Sequence, residues 1–585
     1  MIFLHEKTGS FCLDLPHIRA SSLLSRGWLT TKSGKRIYTK DVDLALIDED
    51  LFCPELRELF VSHVRQPLKL DDATWERIVP HDKTLYEHQK ATVEWTVGAS
   101  DEFPHTIDGN PPGAGKTAIA VVVSNYDDPD TWLIVCPASV KYNWLVEINE
   151  WTVEPRKSQL HVEVCENKTA DEHIARILAA RAEGKKVIVI INYDILARFE
   201  VVMKESWKWD RVTYDESHRF KNLYSNRTQF CLDPKDGIPV RRAVFASATK
   251  LDRPYNLWPT LTFVEPHRLG ADEEYFINRY CSDGTLDYKG NLDKMKKNNV
   301  RELGQLLGES CFVRFDIDHL LPPYREETVY LPPSPMVAEA EIALFDEILN
   351  GDTEGLTSAQ EERLLNLRAF LRSQLGSLAN MKLDEIPDSE RVRVFGETFI
   401  EQAEFLYGIP VVFEKMAEMR RITGMAKLQH LIDHIKLLIN TEDSGEVPLV
   451  VMVHHKDIVD ALMAEFGDIA RKVVGGVSAK RRQVIKEDFQ AGKFPLFIGN
   501  ISAAGEGITL TRSCRLLFGE IDWSASSMWQ ALKRIHRLTQ LEECLIQYLL
   551  LQNSMDALLA KTYIGKRETI SEFFAGVDDV KSAEV

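Results

Sequence analysis

Four apolar runs follow one another behind a glycine-rich segment: "TWLIVCP" from Thr131, "KKVIVIINYD" from Lys185, "RVTYDE" from Arg211 and "RRAVFASAT" from Arg241. Runs that are apolar throughout, not alternating, suit strands buried on both faces, and parallel strands require long, usually helical, crossovers. The stretches between the runs can be helical, so the rhythm predicts a parallel sheet with crossover helices. A second set appears late, as "VPLVVMVHH", "RKVVGG", "FPLFIGN", "CRLLFGEIDW" and "LIQYLLL". The chain therefore reads as α/β, with two parallel-sheet lobes bracketing a middle in which "MVAEAEIALFDEILNG" and "SAQEERLLNLRAFLRSQLGSLANM" show helical spacing. Near the amino terminus, "SGKRIYT" suggests a hairpin. No fixed-period repeat or low-complexity tract points to a solenoid or a disordered tail.

The glycine-rich segment is "GNPPGAGKTAIAVVV". Small residues at Gly113, Ala114 and Gly115 let backbone N–H groups turn inward around a phosphate. Lys116 can then reach the β and γ phosphates, and the Thr117 hydroxyl can ligate magnesium. The full G-x-x-x-x-G-K-[ST] pattern asks for glycine where Asn110 stands. Alone, the segment also fits a glycine- and proline-rich turn carrying a chance lysine. About a hundred residues on, "YDESHRFKN" places Asp215 and Glu216 at the end of a strand-like run, where ligands sit in open α/β sheets. Taken by itself this is ordinary surface polarity. Taken with the glycine-rich loop, Asp215 becomes a magnesium holder and Glu216 the residue that polarises water for attack on the γ-phosphate of ATP.

The second lobe offers "WQALKRIHRLTQ", with Gln530, Arg534, His536, Arg537 and Gln540. Spaced three apart, Arg534 and Arg537 would share a helix face. That is either a solvated charged face or a pair of arginines aimed at transferring phosphate. Just upstream, "SAAGEGITLT" sets Gly505 and Gly507 beyond a strand, suited to close backbone approach.

Composition limits the function classes. A chain of 585 residues needs several structural units. No apolar run approaches a membrane span, and "MIFLHEKTGS" lacks the core of a secretory signal. Nine cysteines without a C-x-x-C pair argue for free thiols in a reducing cytoplasm and against a zinc site. A formal charge of −18 requires any nucleic-acid partner to meet a local basic groove.

Over residues 80–570 these motifs, in this order, resemble the superfamily 2 nucleic-acid motors, specifically the Swi/Snf-like double-stranded DNA translocases. "LYEHQKATVEW" looks like that family's adenine-reading segment, which implies Gln89 as the base contact. "NPPGAGKT" is similar to its phosphate loop, in which the place of Asn110 is commonly acidic, and "CPASVKYNW" and "INYDIL" resemble its DNA-tracking motifs. "DESHRFKN" resembles the hydrolytic motif and Ser247 to Thr249 the coupling motif, although this branch usually carries Gly-Thr-Pro there. "TGMAKLQHLIDHI", with His454, His455 and Lys456 downstream, is similar to the lobe-two entry of the HARP-type annealing helicases. The two adjacent histidines could suggest a metal pair, but they point to opposite sides of a strand and fit a structural role at its end.

The resemblance implies two RecA-like lobes with ATP and magnesium in the cleft between them: a small domain over 1–75, lobe one over 76–264, a helical protrusion and linker over 265–332, a helical insertion over 333–425 and lobe two over 426–585. It implies a monomeric ATPase acting on duplex, forked or branched DNA, alongside replication or recombination proteins in the cytoplasm of a bacterial or phage-infected cell. A strand-separating helicase and an ATP-gated DNA-binding scaffold are the rival expectations.

Overall fold

The computed structural model describes four short strands within residues 3–39 and most of residues 65–577; positions 66, 100–103, 248–253, 267–268, 271–272, 282–298, 354–355, 392, 395–409, 440–446, 505–507 and 523, and scattered positions from 555 on, lie outside the description. At the amino terminus β1 (Phe3–His5), β2 (Ser10–Asp14), β3 (Leu29–Thr30) and β4 (Arg36–Thr39) form an antiparallel sheet in the order β1-β2-β4-β3. The hairpin expected around "SGKRIYT" is the β3–β4 pair.

Lobe one is a seven-stranded, wholly parallel sheet. In chain order it comprises α1 (Glu87–Val97), β5 (Thr106–Asp108), α2 (Lys116–Asp127), β6 (Thr131–Cys136), α3 (Lys141–Trp151), β7 (Leu160–Val164), β8 (Lys186–Asn192), β9 (Trp209–Asp215), β10 (Val240–Ala246), α4 (Val300–Ser310) and β11 (Phe312–Val313). The strand order is β11-β5-β10-β9-β6-β8-β7. Every residue of β6 is buried, as are all of β8 beyond Lys186, which is why both read as unbroken apolar runs. β5, β10 and β9 are neighbours, and Ala246 lies level with Asp108 on one side and Asp215 on the other. The loops that follow these three strands therefore leave the sheet at one height and on one edge.

Lobe two is a six-stranded parallel sheet in the order β12-β17-β16-β13-β15-β14. Its elements are β12 (Tyr324–Leu331), α5 (Pro335–Asn350), α6 (Ser358–Leu375), α7 (Pro410–Ile439), β13 (Leu449–Val453), α8 (Lys456–Phe466), β14 (Ala470–Val473), α9 (Ala479–Gln490), β15 (Leu496–Asn500), β16 (Arg515–Phe518), α10 (Ala525–Leu532) and β17 (Cys544–Leu551). One apolar core runs from the β13 and β15 strands through Phe345 and Leu371 of the inserted helices.

Three of the expected boundaries cut through packed structure. Within residues 265–332, α4 and β11 complete lobe one, and β12 is an edge strand of lobe two, paired with β17 along its whole length. β11 is too short to leave a pattern, and β12 ("YREETVYL") carries the polar residues of a half-exposed edge. α7 runs unbroken through 425, tying the insertion to lobe two. From the far end of the chain, Phe573 and Val577 return to pack in the core of lobe one.

Candidate nucleotide site between the lobes

The loop after β5 turns twice through left-handed backbone, at Gly113 (φ 86°) and Gly115 (φ 85°), and Gly115 caps the start of α2. Side chains rarely tolerate that conformation, which is the local reason for both glycines. Lys116 and Thr117 are the first residues of α2, so both project from the helix terminus where N–H groups point outward. Lys116 Nζ donates to the carbonyls of Asn110 (2.8 Å) and Pro111 (3.1 Å). Burial lowers the pKa of this ammonium, against the opposing pull of Asp108, Glu216 and Asp215.

Asn110, the departure from the glycine pattern, is fully buried. Its Nδ2 donates to Thr92 Oγ1 (3.0 Å) on α1 and to Asp108 Oδ1 (2.9 Å), and its Oδ1 accepts from Phe315 N (2.8 Å) on the segment leading to lobe two. The amide thus joins a helix, a strand and the interlobe connection, a role no spacing rule in the sequence announces. Gln89 lies directly over the loop. Its Nε2 donates to the Ala114 carbonyl (2.9 Å), its Oε1 accepts from Tyr86 N (3.0 Å), and a Cβ on Gly115 would stand 2.2 Å from that Nε2. These two bonds use one N–H and one lone pair of the amide.

Asp215 ends β9, and its carboxylate is held from two sides: Trp144 Nε1 donates to Oδ2 (2.9 Å) and Glu216 N to Oδ1 (3.0 Å). Burial, then the neighbouring Glu216 charge, push its pKa well up. Glu216 follows in the left-handed region at φ 52°, a strained conformation for a residue with a side chain and one that gathers at functional sites. Burial would raise its pKa, but the His218 hydrogen bond and the charges of His218, Lys116 and Arg534 hold it low. Glu216 Oε2 lies 3.1 Å from His218 Nδ1, and Gln530 Nε2 of lobe two donates to it at 3.3 Å. Ser217 Oγ donates to the Ala246 carbonyl (3.2 Å) and His218 Nδ1 lies 3.3 Å from Ser247 Oγ, so the loops after β9 and β10 are joined.

Lobe two meets this loop with its arginines, though not from a helix face. α10 ends at Leu532, and Arg534 and Arg537 lie in the turns beyond it. The turn is forced by Lys533, which is fully buried and reaches Asp318 Oδ1 (3.2 Å) and His536 Nδ1 (3.0 Å), while His536 Nε2 contacts the Pro322 carbonyl at 2.7 Å. These bonds fasten the turn to the interlobe connection. The Arg537 stem packs on the phosphate loop, its Cγ 3.1 Å from where a Gly113 Cβ would be. Its nitrogens donate to neutral oxygens, Lys533 O (2.7 Å) and Thr509 Oγ1 (2.8 Å), and burial followed by Arg534 lowers its pKa. Arg534 Nε donates to the Gln530 carbonyl at 3.0 Å, and its charge is felt at Glu216. Gln540 bonds three carbonyls within its own lobe.

Lys116, Thr117, Asp215, Glu216, Arg534, Arg537, Gln89 and the loop from Gly113 to Gly115 thus lie around one cleft. Gly505 and Gly507 lie outside the described residues, as do Ala248 and Thr249 of the segment likened to a coupling motif. His454 and His455 clamp a strand end: Glu520 Oε2 accepts from both of their backbone N–H groups, at 2.7 and 2.8 Å, Glu520 Oε1 lies 2.6 Å from His455 Nδ1, and Asp522 lies 2.9 Å from His454 Nδ1. Among the described residues no group of three or more His, Cys, Asp or Glu is arranged to hold a metal. Magnesium takes one or two carboxylates and completes its shell with phosphates and water. Asp215, a half-buried carboxylate pressed by a second one, is a group of the kind such a hard cation neutralises. The described cysteines are free thiols, and no described helix is long and apolar enough to cross a membrane.

Comparison with known proteins agrees with this geometry. The SNF2-related domain model matches residues 88–377 and the helicase conserved C-terminal domain model residues 426–539. A Caenorhabditis elegans homologue of SWI/SNF-related matrix-associated actin-dependent regulator of chromatin subfamily A-like protein 1 is 22% identical over 88% of this chain and 64% of its own length. The Homo sapiens DNA annealing helicase and endonuclease ZRANB3 is 25% identical over 76% of this chain and 36% of its own. The chain thus spans less than two thirds of the length of these curated relatives. A solved Sulfolobus solfataricus SWI2/SNF2 ATPase core in complex with dsDNA matches 86% of this chain and 96% of that one at 17% identity and a TM-score of 0.35.

Proposed function

Because the chain belongs to the SNF2-related family and carries that family's helicase-type second lobe, we propose that it is a DNA-dependent ATPase that moves along duplex or branched DNA and remodels or anneals it. The observation that carries the reading is the meeting of both lobes on one phosphate loop: Gln530 on Glu216, and Arg537 against Gly113. A binding scaffold needs a cleft but no strained, charge-tuned carboxylate pointed across it.

Each side chain has a role that follows from its place. Gln89 orients the base, Lys116 and the backbone around Gly113, Ala114 and Gly115 hold the phosphates, and Glu216, kept ionised by His218 and Lys116, orients the attacking water and takes its proton. Arg534 and Arg537 of lobe two meet the charge that develops on the γ-phosphate. A magnesium ion held by the Thr117 hydroxyl and Asp215 would supply Lewis-acid neutralisation of the phosphate oxygens.

DNA would lie across both lobes, meeting on lobe one the half-buried Ser139 and the exposed Tyr142 and Asn143 around the start of α3. Tracking a duplex needs phosphate contacts and no base readout, so binding should weaken steeply with salt. Annealing is the activity that the human relative is named for; for this chain it is proposed, as are a forked substrate, replication or recombination partners, a monomeric state and a bacterial or phage setting.

The test compares ATP hydrolysis on single-stranded, duplex and forked DNA, then pairs triplex displacement with strand displacement on a long tailed duplex and with annealing of complementary strands. Stimulation by duplex or forked DNA with triplex displacement is the expected result. Efficient unwinding of the long duplex with little triplex displacement makes the chain a strand-separating helicase instead, and ATP-independent DNA binding without turnover makes it a scaffold.

A further inference from the structure

α3 presents two different faces. Tyr142 and Asn143 are exposed, while the adjacent Trp144 is 2% exposed and turned toward the sheet. Its indole N–H donates to the Asp215 carboxylate at 2.9 Å from Oδ2, while Oδ1 takes the Glu216 backbone N–H. The backbone at this strand end is fixed as well, since Tyr193 OH donates to the Asp215 carbonyl at 2.7 Å.

A second tryptophan repeats the arrangement one step down the strand. Trp132 meets Trp144 edge-on, with ring centroids 6.2 Å apart at 86°, and its Nε1 donates to Thr213 Oγ1 at 3.0 Å. Thr213 and Asp215 are two apart on β9 and so share one face. Two indoles, one from β6 and one from α3, thus hold consecutive same-face side chains of the strand that delivers the catalytic acids. The packing beside Trp144 is not solid, because a small cavity lined by Lys116, Thr213, Asp215 and Arg211 adjoins the ring. On the next turn of α3, Glu147 lies close enough to Lys486 of α9 for their charges to interact.

We propose that Trp144 is a positioning residue, whose indole N–H sets the orientation of the Asp215 carboxylate and passes displacement of α3 by bound DNA to the magnesium-nucleotide site. The inference rests on the translocase reading for its DNA input, and on the side-chain geometry alone for its effect on Asp215. Hydrogen bonds to a metal-holding carboxylate commonly change metal affinity or activity by about 10- to 100-fold when removed.

The decisive variant replaces Trp144 with β-(3-benzothienyl)alanine by amber suppression, which keeps ring size and substitutes sulfur for the N–H. Trp144→Phe is the simpler companion, and Trp132→Phe, which loses a buried indole bond to Thr213, controls for loss of packing. Two quantities are read: the gain in affinity for a fluorescent ADP analogue on adding magnesium, and the ratio of kcat with and without saturating duplex, with KM for ATP recorded beside it. The benzothienyl variant should bind nucleotide without magnesium much as the parent does, lose about tenfold of the magnesium gain, and lose a similar factor of DNA stimulation in kcat and not in KM. Trp132→Phe should keep both ratios within about twofold. Parental ratios in the benzothienyl variant, or equal losses in Trp132→Phe, overturn the proposal. A parent protein that DNA does not stimulate overturns the translocase reading, and the magnesium measurement then decides on Trp144 by itself.

Discussion

Replacing Asn110 by glycine would complete the G-x-x-x-x-G-K-[ST] pattern, and it should damage the protein. Three bonds are at stake. The N–H of Phe315 loses its acceptor at 2.8 Å, Asp108 loses the Nδ2 donor at 2.9 Å, and Thr92 loses its partner at 3.0 Å. Because Asn110 is fully buried and Asp108 nearly so, water replaces these bonds poorly. A buried donor left unmade costs about 1–3 kcal/mol and a bond to a charged group contributes about 1.5–3, while glycine's extra backbone freedom removes roughly 0.5–1. Allowing for the Asp108 backbone bonds that persist, the net loss is about 3–5 kcal/mol. Urea unfolding followed by lobe-one tryptophan fluorescence reads the stability, and a fluorescent nucleotide reads the loop. Asn110→Ala, which keeps the backbone stiff, should lose all but the last contribution. If Asn110→Gly matches the parent in unfolding midpoint and nucleotide affinity, the amide is not the junction between loop, strand and interlobe connection.

Lys116→Ala should weaken nucleotide binding, whereas Glu216→Gln should bind nucleotide and not turn it over; equilibrium affinity and steady-state hydrolysis separate the two, and full turnover in Glu216→Gln would remove the assignment of the water-orienting residue. Arg534→Ala and Arg537→Ala should each lower kcat by roughly 10³ to 10⁵ with DNA affinity retained; lost DNA binding with unaltered hydrolysis per complex would move the turn to the DNA surface. Lobe two should lose stability in acid through Glu520. Burial raises this carboxyl, but His455 and its backbone N–H, with Lys427, hold it at about 2 against an ordinary 4.5, so its contribution is complete above the unfolded value and lost as pH falls from about 4.5 toward 2, on the order of 3 kcal/mol. Urea unfolding at stepped pH should show that slope, and Glu520→Gln should flatten it.

The parts of the site that were legible in sequence are those whose residue type is dictated by local conformation. Gly113 and Gly115 are needed for left-handed backbone, and β6 and β8 announce themselves because burial on both faces leaves continuous apolar runs. What could not be read depends on partners far away in the chain. "WQALKRIHRLTQ" has helical spacing, and only the Lys533 to Asp318 bond, spanning 215 residues, shows that α10 stops at Leu532 and that the arginines sit on a turn. β12 hides for another reason: an edge strand alternates polar residues and resembles a linker until β17 is beside it. Trp144 gave no signal either, since an indole in an amphipathic helix reads as packing whether or not its N–H meets a carboxylate 71 residues away.

The charges of the cleft argue for its ligand independently of any motif. On the lobe-one side Asp215 is pushed up, because desolvation and the neighbouring Glu216 charge crowd negative charge at the strand end. On the lobe-two side Arg537 is pushed down, by burial and by Arg534 beside it, with neutral oxygens as its hydrogen-bond partners. Each is costly in a folded protein. A single carboxylate from lobe two reaching Lys116, or a single lysine reaching Asp215, would relieve one and aggravate the other. Both are relieved at once by a ligand that brings a divalent cation to Asp215 and polyanionic oxygens to Lys116, Arg534 and Arg537. A magnesium-bound nucleoside triphosphate has that distribution of charge, and because its phosphates satisfy groups from both lobes, its binding free energy is necessarily coupled to how the lobes are held together.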